Sequence, residues 1–172
     1  LYRNNTTSFA NVTAAAGINF PSWGGSIGWF DYNSDGKLDA ALGNDGVPYH
    51  YNYLFRNDNL SGFTNVAYSS GLTDSASTLC LATADYDNDG DLDLYVSGTT
   101  NSKGLYRNDL VNGNAWINIK CTGSGAPNGS NKSGIGVKVR IKAFINGNPV
   151  WQIREVSAQN SFDCHNMLNV HF

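Results

Sequence analysis

Charge is scarce in this chain: only 15% of its 172 residues are Asp, Glu, Lys or Arg. Long apolar runs are missing too. None approaches the roughly 20 residues of a membrane-spanning helix, so membrane insertion is not expected. Nor is there a cluster of basic residues of the kind that tracks a phosphate backbone, and no nucleic-acid partner is expected. The three cysteines, Cys80, Cys121 and Cys164, contain no C-x-x-C pair, which excludes a zinc ribbon or a thioredoxin-like motif. Cys121 and Cys164 fall in the same C-terminal stretch, where a disulfide and two separate buried thiols both stay open. His50, His165 and His171 lack the spacing of a zinc site. The chain opens on Leu1, without an initiator Met or a signal-peptide pattern, and is read as a piece of something longer.

What is abundant points one way. Gly, with 19 residues, and Asn, Ser and Thr favour turns and caps over helix interiors, so a turn-rich, all-β architecture is expected. The few charges are unevenly placed. Residues 1–114 carry 5 basic and 12 acidic side chains, and residues 115–172 carry 6 and 2, so the net charges are −7 and +4. Eight of the 14 acids lie in two short loops. The acidity is therefore local chemistry more than a general surface field.

The denser loop is Asp85-Tyr86-Asp87-Asn88-Asp89-Gly90-Asp91-Leu92-Asp93, with five carboxylates in nine residues. Such a cluster repels itself unless a positive charge neutralises it. Oxygen donors at alternate positions, then a glycine that lets the backbone turn sharply, suit calcium. The pattern recurs as Asp31-Tyr32-Asn33-Ser34-Asp35-Gly36-Lys37-Leu38-Asp39. Two calcium sites are expected. One uses side chains of Asp85, Asp87, Asp89 and Asp93 with the Asp91 carbonyl. The other uses Asp31, Asn33, Asp35 and Asp39 with the Lys37 carbonyl, and neutral Asn33 with the Lys37 charge nearby should make it weaker. An EF-hand is excluded, because position 12 is Leu42 or Val96 instead of Glu.

The loops belong to a longer repeat. Leu1-Tyr2-Arg3-Asn4, Leu54-Phe55-Arg56-Asn57 and Leu105-Tyr106-Arg107-Asn108 are spaced by 53 and 51 residues, against 54 between the Asp loops. Phe9, Asn11, Val12 and Gly17 align with Phe63, Asn65, Val66 and Gly71. A period near 50 marks a propeller blade or related β-repeat. Short glycine-bounded apolar runs flank each loop, so each loop is expected to join two antiparallel strands. Beyond a boundary at residues 109–115 the pattern changes. Val137, Val139, Ile141 and Ala143 alternate with Lys138, Arg140 and Lys142, a half-buried strand with a basic face. Asn146-Gly147 signals a type I′ hairpin leading to a strand near Trp151, and Leu168, Val170 and Phe172 begin a last strand.

The Asp loops, with L-[YF]-R-N and F-x-N-V between them, resemble the FG-GAP/VCBS repeats of integrin-α-type β-propellers. The segment from Trp116 through Gly134-Ile135-Gly136, Arg154-Glu155-Val156 and Val170-His171-Phe172 is similar to an ASPIC/UnbV domain, as in cartilage-acidic-protein-like and secreted bacterial proteins. The resemblance implies calcium in the repeats, an extracellular or cell-surface location and a binding or adhesive role, with no catalytic residues. The expected architecture is an incomplete set of β-propeller blades over residues 1–110 and a small antiparallel β-module over 111–172, cut short at its C-terminus. Only two Asp loops are present, whereas a closed propeller needs about four blades.

Other motifs are weaker. Gly24-Gly25-Ser26-Ile27-Gly28 matches a nucleophile elbow formally but leads into β-like residues, so no hydrolase is expected. Tyr49, Tyr51 and Tyr53 alternate, which suits core packing first and sugar stacking at Tyr49 and Tyr51 second. Asn4, Asn5, Asn11, Asn59, Asn128 and Asn131 begin N-x-[ST] sequons. Arg3, Arg56 and Arg107 recur at one repeat position and are read as structural ion pairs or packed guanidinium groups. Three functions compete: an adhesion or matrix module that binds an extracellular protein or glycan surface, a calcium-stabilised lectin, and a subunit that assembles head to tail with its own copies.

Overall fold

In the computed structural model the glycine-bounded apolar runs pair as antiparallel strands. The structure describes residues 1–20, 24–46, 51–73, 77–99, 103–127, 129–160 and 164–172. The fold is all-β, with one single-turn 3-10 helix at Asn59–Ser61 as the only helical element among the described residues. Strands β1 (Tyr2–Asn4) and β2 (Phe9–Asn11) form a hairpin. They are followed by a four-stranded meander of β3 (Gly24–Phe30), β4 (Asp39–Asn44), β5 (Tyr53–Asn57) and β6 (Phe63–Asn65). A three-stranded meander comes next, built from β7 (Thr78–Ala84), β8 (Asp93–Gly98) and β9 (Lys103–Tyr106).

The repeat is legible in register as well as in sequence. Arg3 faces Ala10 and Asn4 faces Phe9, just as Arg56 faces Thr64 and Asn57 faces Phe63. The first hairpin is thus the outer half of a blade, the second sheet is a whole blade, and the third carries three blade strands. Each Asp loop joins the first two strands of its sheet, β3 to β4 and β7 to β8, as the flanking apolar runs required.

Strand β4 is buried along its whole length because both faces of its sheet are covered. Alternate side chains point to opposite faces. Ala41 and Leu54 pack with Leu81, Leu92, Leu94 and Val96 between the two sheets, while Ala40, Leu42 and Phe55 pack with Ile18 on the other face. The sheets approach closely at Gly25, where a Cβ would collide with the Thr78 carbonyl oxygen. In the next sheet the face equivalent to Ala41 and Leu54 is uncovered: Tyr95 is 43% exposed and Leu105 54%. The same repeat position is core in one blade and surface in the next.

The C-terminal unit contains β10 (Asn118–Ile119), β11 (Lys138–Ile145), β12 (Asn148–Glu155) and β13 (Val170–His171). Strands β11 and β12 form the expected hairpin around Asn146 and Gly147, whose φ of 50° and 76° give the two left-handed residues of a type I′ turn. Val156, Val170 and Phe172 form its small core with Ile119, Cys121, Val139 and Ile141. Trp116-Ile117-Asn118 looks like the Phe-x-Asn of an outer blade strand, yet Asn118 and Ile119 pair with β13 instead of β9. All three cysteines are free thiols, and Cys164 Sγ donates to the Leu81 carbonyl at 2.9 Å.

Leu81 is 1% exposed at the junction of the two sheets, so Leu81→Ala should lower stability by about 2–5 kcal/mol. Leu105→Ala should cost well under half as much. Urea denaturation of both variants checks this, and equal losses would contradict the stacked-blade packing.

Candidate metal centre

The ninth residue of each loop does more than add charge. Asp39 and Asp93 are 0% and 1% exposed. Asp39 accepts N–H bonds from Tyr32 at 3.1 Å and Asn57 at 2.7 Å. Asp93 accepts them from Tyr86 at 3.1 Å and Asn108 at 2.8 Å. The loop start and the third strand of the blade are thereby clamped to one carboxylate. The last Asn of the L-[YF]-R-N motif closes the clamp from the other side. Asn57 Nδ2 donates to the Leu38 carbonyl at 3.0 Å, and Asn108 Nδ2 donates to the Tyr32 carbonyl of the neighbouring blade at 2.6 Å. Two of the motif's arginines pair with the acid two residues on, Arg56 with Asp58 and Arg107 with Asp109, both at 2.7 Å, while Arg3 donates to neutral Asn5 at 3.1 Å. That is the structural reading of this position.

Both loops turn through left-handed residues at positions 4 and 6: Ser34 and Gly36 at φ 53° and 85°, Asn88 and Gly90 at 61° and 97°. Their electrostatics then diverge. In the second loop, carboxylate oxygens of Asp85, Asp87 and Asp89 all lie within 4.8 Å of one another. Among the described residues none of the three forms an ion pair. Asp85 Oδ1 is shut from solvent without a hydrogen-bond partner. Asp91 and Asp93 stand outside that trio. Burial pushes Asp93 above the usual carboxylate range, and burial and then Asp89 do the same to Asp91.

In the first loop the chain supplies its own cations. Lys37 Nζ sits 2.7 Å from Asp35 Oδ2, and Arg154 Nη2 approaches Asp31 Oδ2 at 3.9 Å. Asp31 turns into its own loop and accepts the Asp35 N–H at 3.0 Å and the Gly36 N–H at 2.7 Å. Asn33 Oδ1 and Ser34 Oγ are buried and unpartnered here.

The C-terminal unit is seated on both loops, a feature that spacing did not reveal. A Cβ on Gly36 would collide with Ile145, and one on Gly90 would collide with the Trp116 indole. His171 Nε2–H donates to the Gly90 carbonyl at 2.7 Å, and its ring stacks on Trp116 with centroids 6.3 Å apart. Asn118 Nδ2 donates to Asp85 Oδ2 at 3.0 Å. Asn112 Nδ2, and Asn114 Nδ2 at 3.1 Å, donate to the Asn33 carbonyl. Glycine at position 6 therefore serves the turn and the docking together.

The remaining sequence candidates fall in different places. Tyr53 packs in the core, stacked on Phe55 at 5.7 Å. Tyr51 is 54% exposed and lies outside β5. Tyr49, His50 and Asn128 lie outside the described residues. Asn4, Asn5, Asn11, Asn59 and Asn131 are exposed, but both ends of the Asn131 amide are bonded to Ile135 at 2.8 Å. Ser26 sits within strand β3, with no strand-to-helix turn around it.

Residues 31–96, which span both Asp loops, match the family model of the FG-GAP-like repeat. Repeats of this kind are found in adhesion and extracellular proteins. The C-terminal unit lies beyond the matched stretch. No curated protein matches the chain.

Burial outweighs two N–H bonds at Asp39 and pushes its carboxyl up to about 7. A raised acid favours the folded state in its protonated form, so this contribution is full below the unfolded value of 3.8 and is lost as pH rises through about 7. In chelator, the urea midpoint should therefore fall between pH 4 and pH 7 or so, and Asp39→Asn should flatten that fall. An unchanged slope in the variant would contradict the assignment.

Proposed function

We propose that this chain is a calcium-stabilised extracellular binding module: FG-GAP/VCBS-type blades followed by an ASPIC/UnbV-like unit, serving adhesion, matrix or surface attachment. One observation carries the reading. Three carboxylates converge in the second loop without an ion-pair partner among the described residues, and one oxygen of Asp85 is buried with no donor. Turn-forming Asp side chains normally cap backbone N–H groups. Asp31, Asp39 and Asp93 do this, and Asp89 caps the Asp91 N–H at 3.0 Å, but Asp85 Oδ1 is left without a donor. Flexible all-oxygen coordination fits calcium better than magnesium, which demands strict octahedral geometry and retains its waters.

Asp85, Asp87 and Asp89 would hold the ion. Bound calcium would neutralise a loop that otherwise pushes itself apart and would stiffen the platform on which the C-terminal unit sits. The first loop is the weaker site, because Lys37 and Arg154 already neutralise it. Calcium at 100 times its dissociation constant should add about 2.7 kcal/mol of stability. Thermal unfolding with calcium and with chelator measures it. Asp89→Ala should remove most of the calcium-dependent shift, and Asp35→Ala much less. A melting temperature indifferent to calcium would sink the reading.

A second reading, homotypic head-to-tail assembly, is favoured by the uncovered blade face at Tyr95 and Leu105, whose equivalents Ala41 and Leu54 are buried against the next blade. Light scattering should then show association that Leu105→Asp abolishes. A monodisperse monomer at high concentration would exclude it.

A further inference from the structure

Two buried oxygens without partners lie on either side of the junction between the second blade and the C-terminal unit. One is Asp85 Oδ1, in the loop. The other is Asn118 Oδ1, on β10. Their groups already touch, since Asn118 Nδ2 donates to Asp85 Oδ2 at 3.0 Å. Asn118 therefore reaches the edge of the carboxylate trio from outside the repeat. A half-turn of its amide exchanges nitrogen for oxygen, and the oxygen then stands about 3 Å from the carboxylate, close to the spacing of two oxygens bound to one calcium with 2.3–2.6 Å ligand bonds. A neutral amide oxygen beside three carboxylates is an ordinary member of a calcium shell. Among the described residues no protein donor answers Asp85 Oδ1 or Asn118 Oδ1, and a shared cation would.

We infer that Asn118 completes the cation site of the second loop, and that the bound ion fastens the C-terminal unit to the blade. This rests on the calcium reading above and extends it to a residue outside the repeat. The neighbouring contacts fix Asn118 in place. Trp116 lies over Gly90, and His171, which faces Asn118 across the β10–β13 pair, donates to the Gly90 carbonyl. The first loop is fastened differently: there the C-terminal unit brings Arg154, a permanent cation, to Asp31. One junction is held by the protein's own charge, and the other waits on an ion.

Terbium titration of the full chain, with calcium as competitor, tests this directly, because Trp116 lies against the loop and is placed to sensitise the lanthanide. Asn118→Ala should weaken binding at the second loop at least about tenfold. It should also remove the protection that calcium gives residues 109–117 against limited proteolysis. Asn118→Asp, which keeps the shape and adds a ligand charge, should bind at least as tightly as the wild type while being less stable in chelator. That variant decides the matter if the alanine variant does not fold. Wild-type affinity and protection in Asn118→Ala, with Asp87→Asn defective, would overturn the Asn118 assignment alone. Failure of the wild type to bind either ion would overturn the calcium reading and this inference with it.

Discussion

The buried carboxylate at the ninth position of each Asp loop sets the geometry on which the rest of the structure depends. Asp39 and Asp93 each accept two backbone N–H bonds, one from the start of the loop and one from the end of the third strand. A buried N–H left without a partner is costly. The clamp therefore holds the loop against its blade whatever the other acids do. With the loop fixed, its second residue and its glycine become surfaces that other parts of the chain use: Tyr32 accepts from Asn108 of the next blade, and Gly36 and Gly90 receive Ile145 and Trp116.

On that common frame the two loops solve the same electrostatic problem differently. The net charge around the first is four units less negative, because Asn33 and Lys37 stand where the second loop has Asp87 and Asp91 and Arg154 adds a cation. The second keeps its acids and leaves an oxygen of Asp85 bare. Calcium dependence, in this account, belongs chiefly to the second loop, and the C-terminal unit is the part of the molecule placed to feel it.

Much of this was legible in the sequence. The 54-residue offset between the loops, the apolar runs beside them and the L-[YF]-R-N spacing correctly placed the antiparallel strands and the repeat. Asn146-Gly147 located its hairpin, and two of the three recurring arginines, Arg56 and Arg107, form ion pairs, whereas Arg3 bonds to neutral Asn5. What escaped was long-range. Asn118 meets Asp85 across 33 residues and His171 meets Gly90 across 81, and no periodicity encodes such docking. The ninth aspartate, expected as a cation ligand, also gives both of its oxygens to backbone N–H groups. An acid that caps a backbone and one that binds a metal look alike in sequence, because both are Asp beside a tight turn. The Trp116 indole that covers Gly90 is another such contact between distant residues.

The most direct test of the account is a crystal structure of the full chain grown in calcium, with anomalous data to identify the ion. The account predicts an ion bound by Asp85, Asp87 and Asp89 at about 2.3–2.6 Å, with the Asn118 oxygen turned toward it. A second loop filled only by water, with the three carboxylates splayed apart, would contradict it.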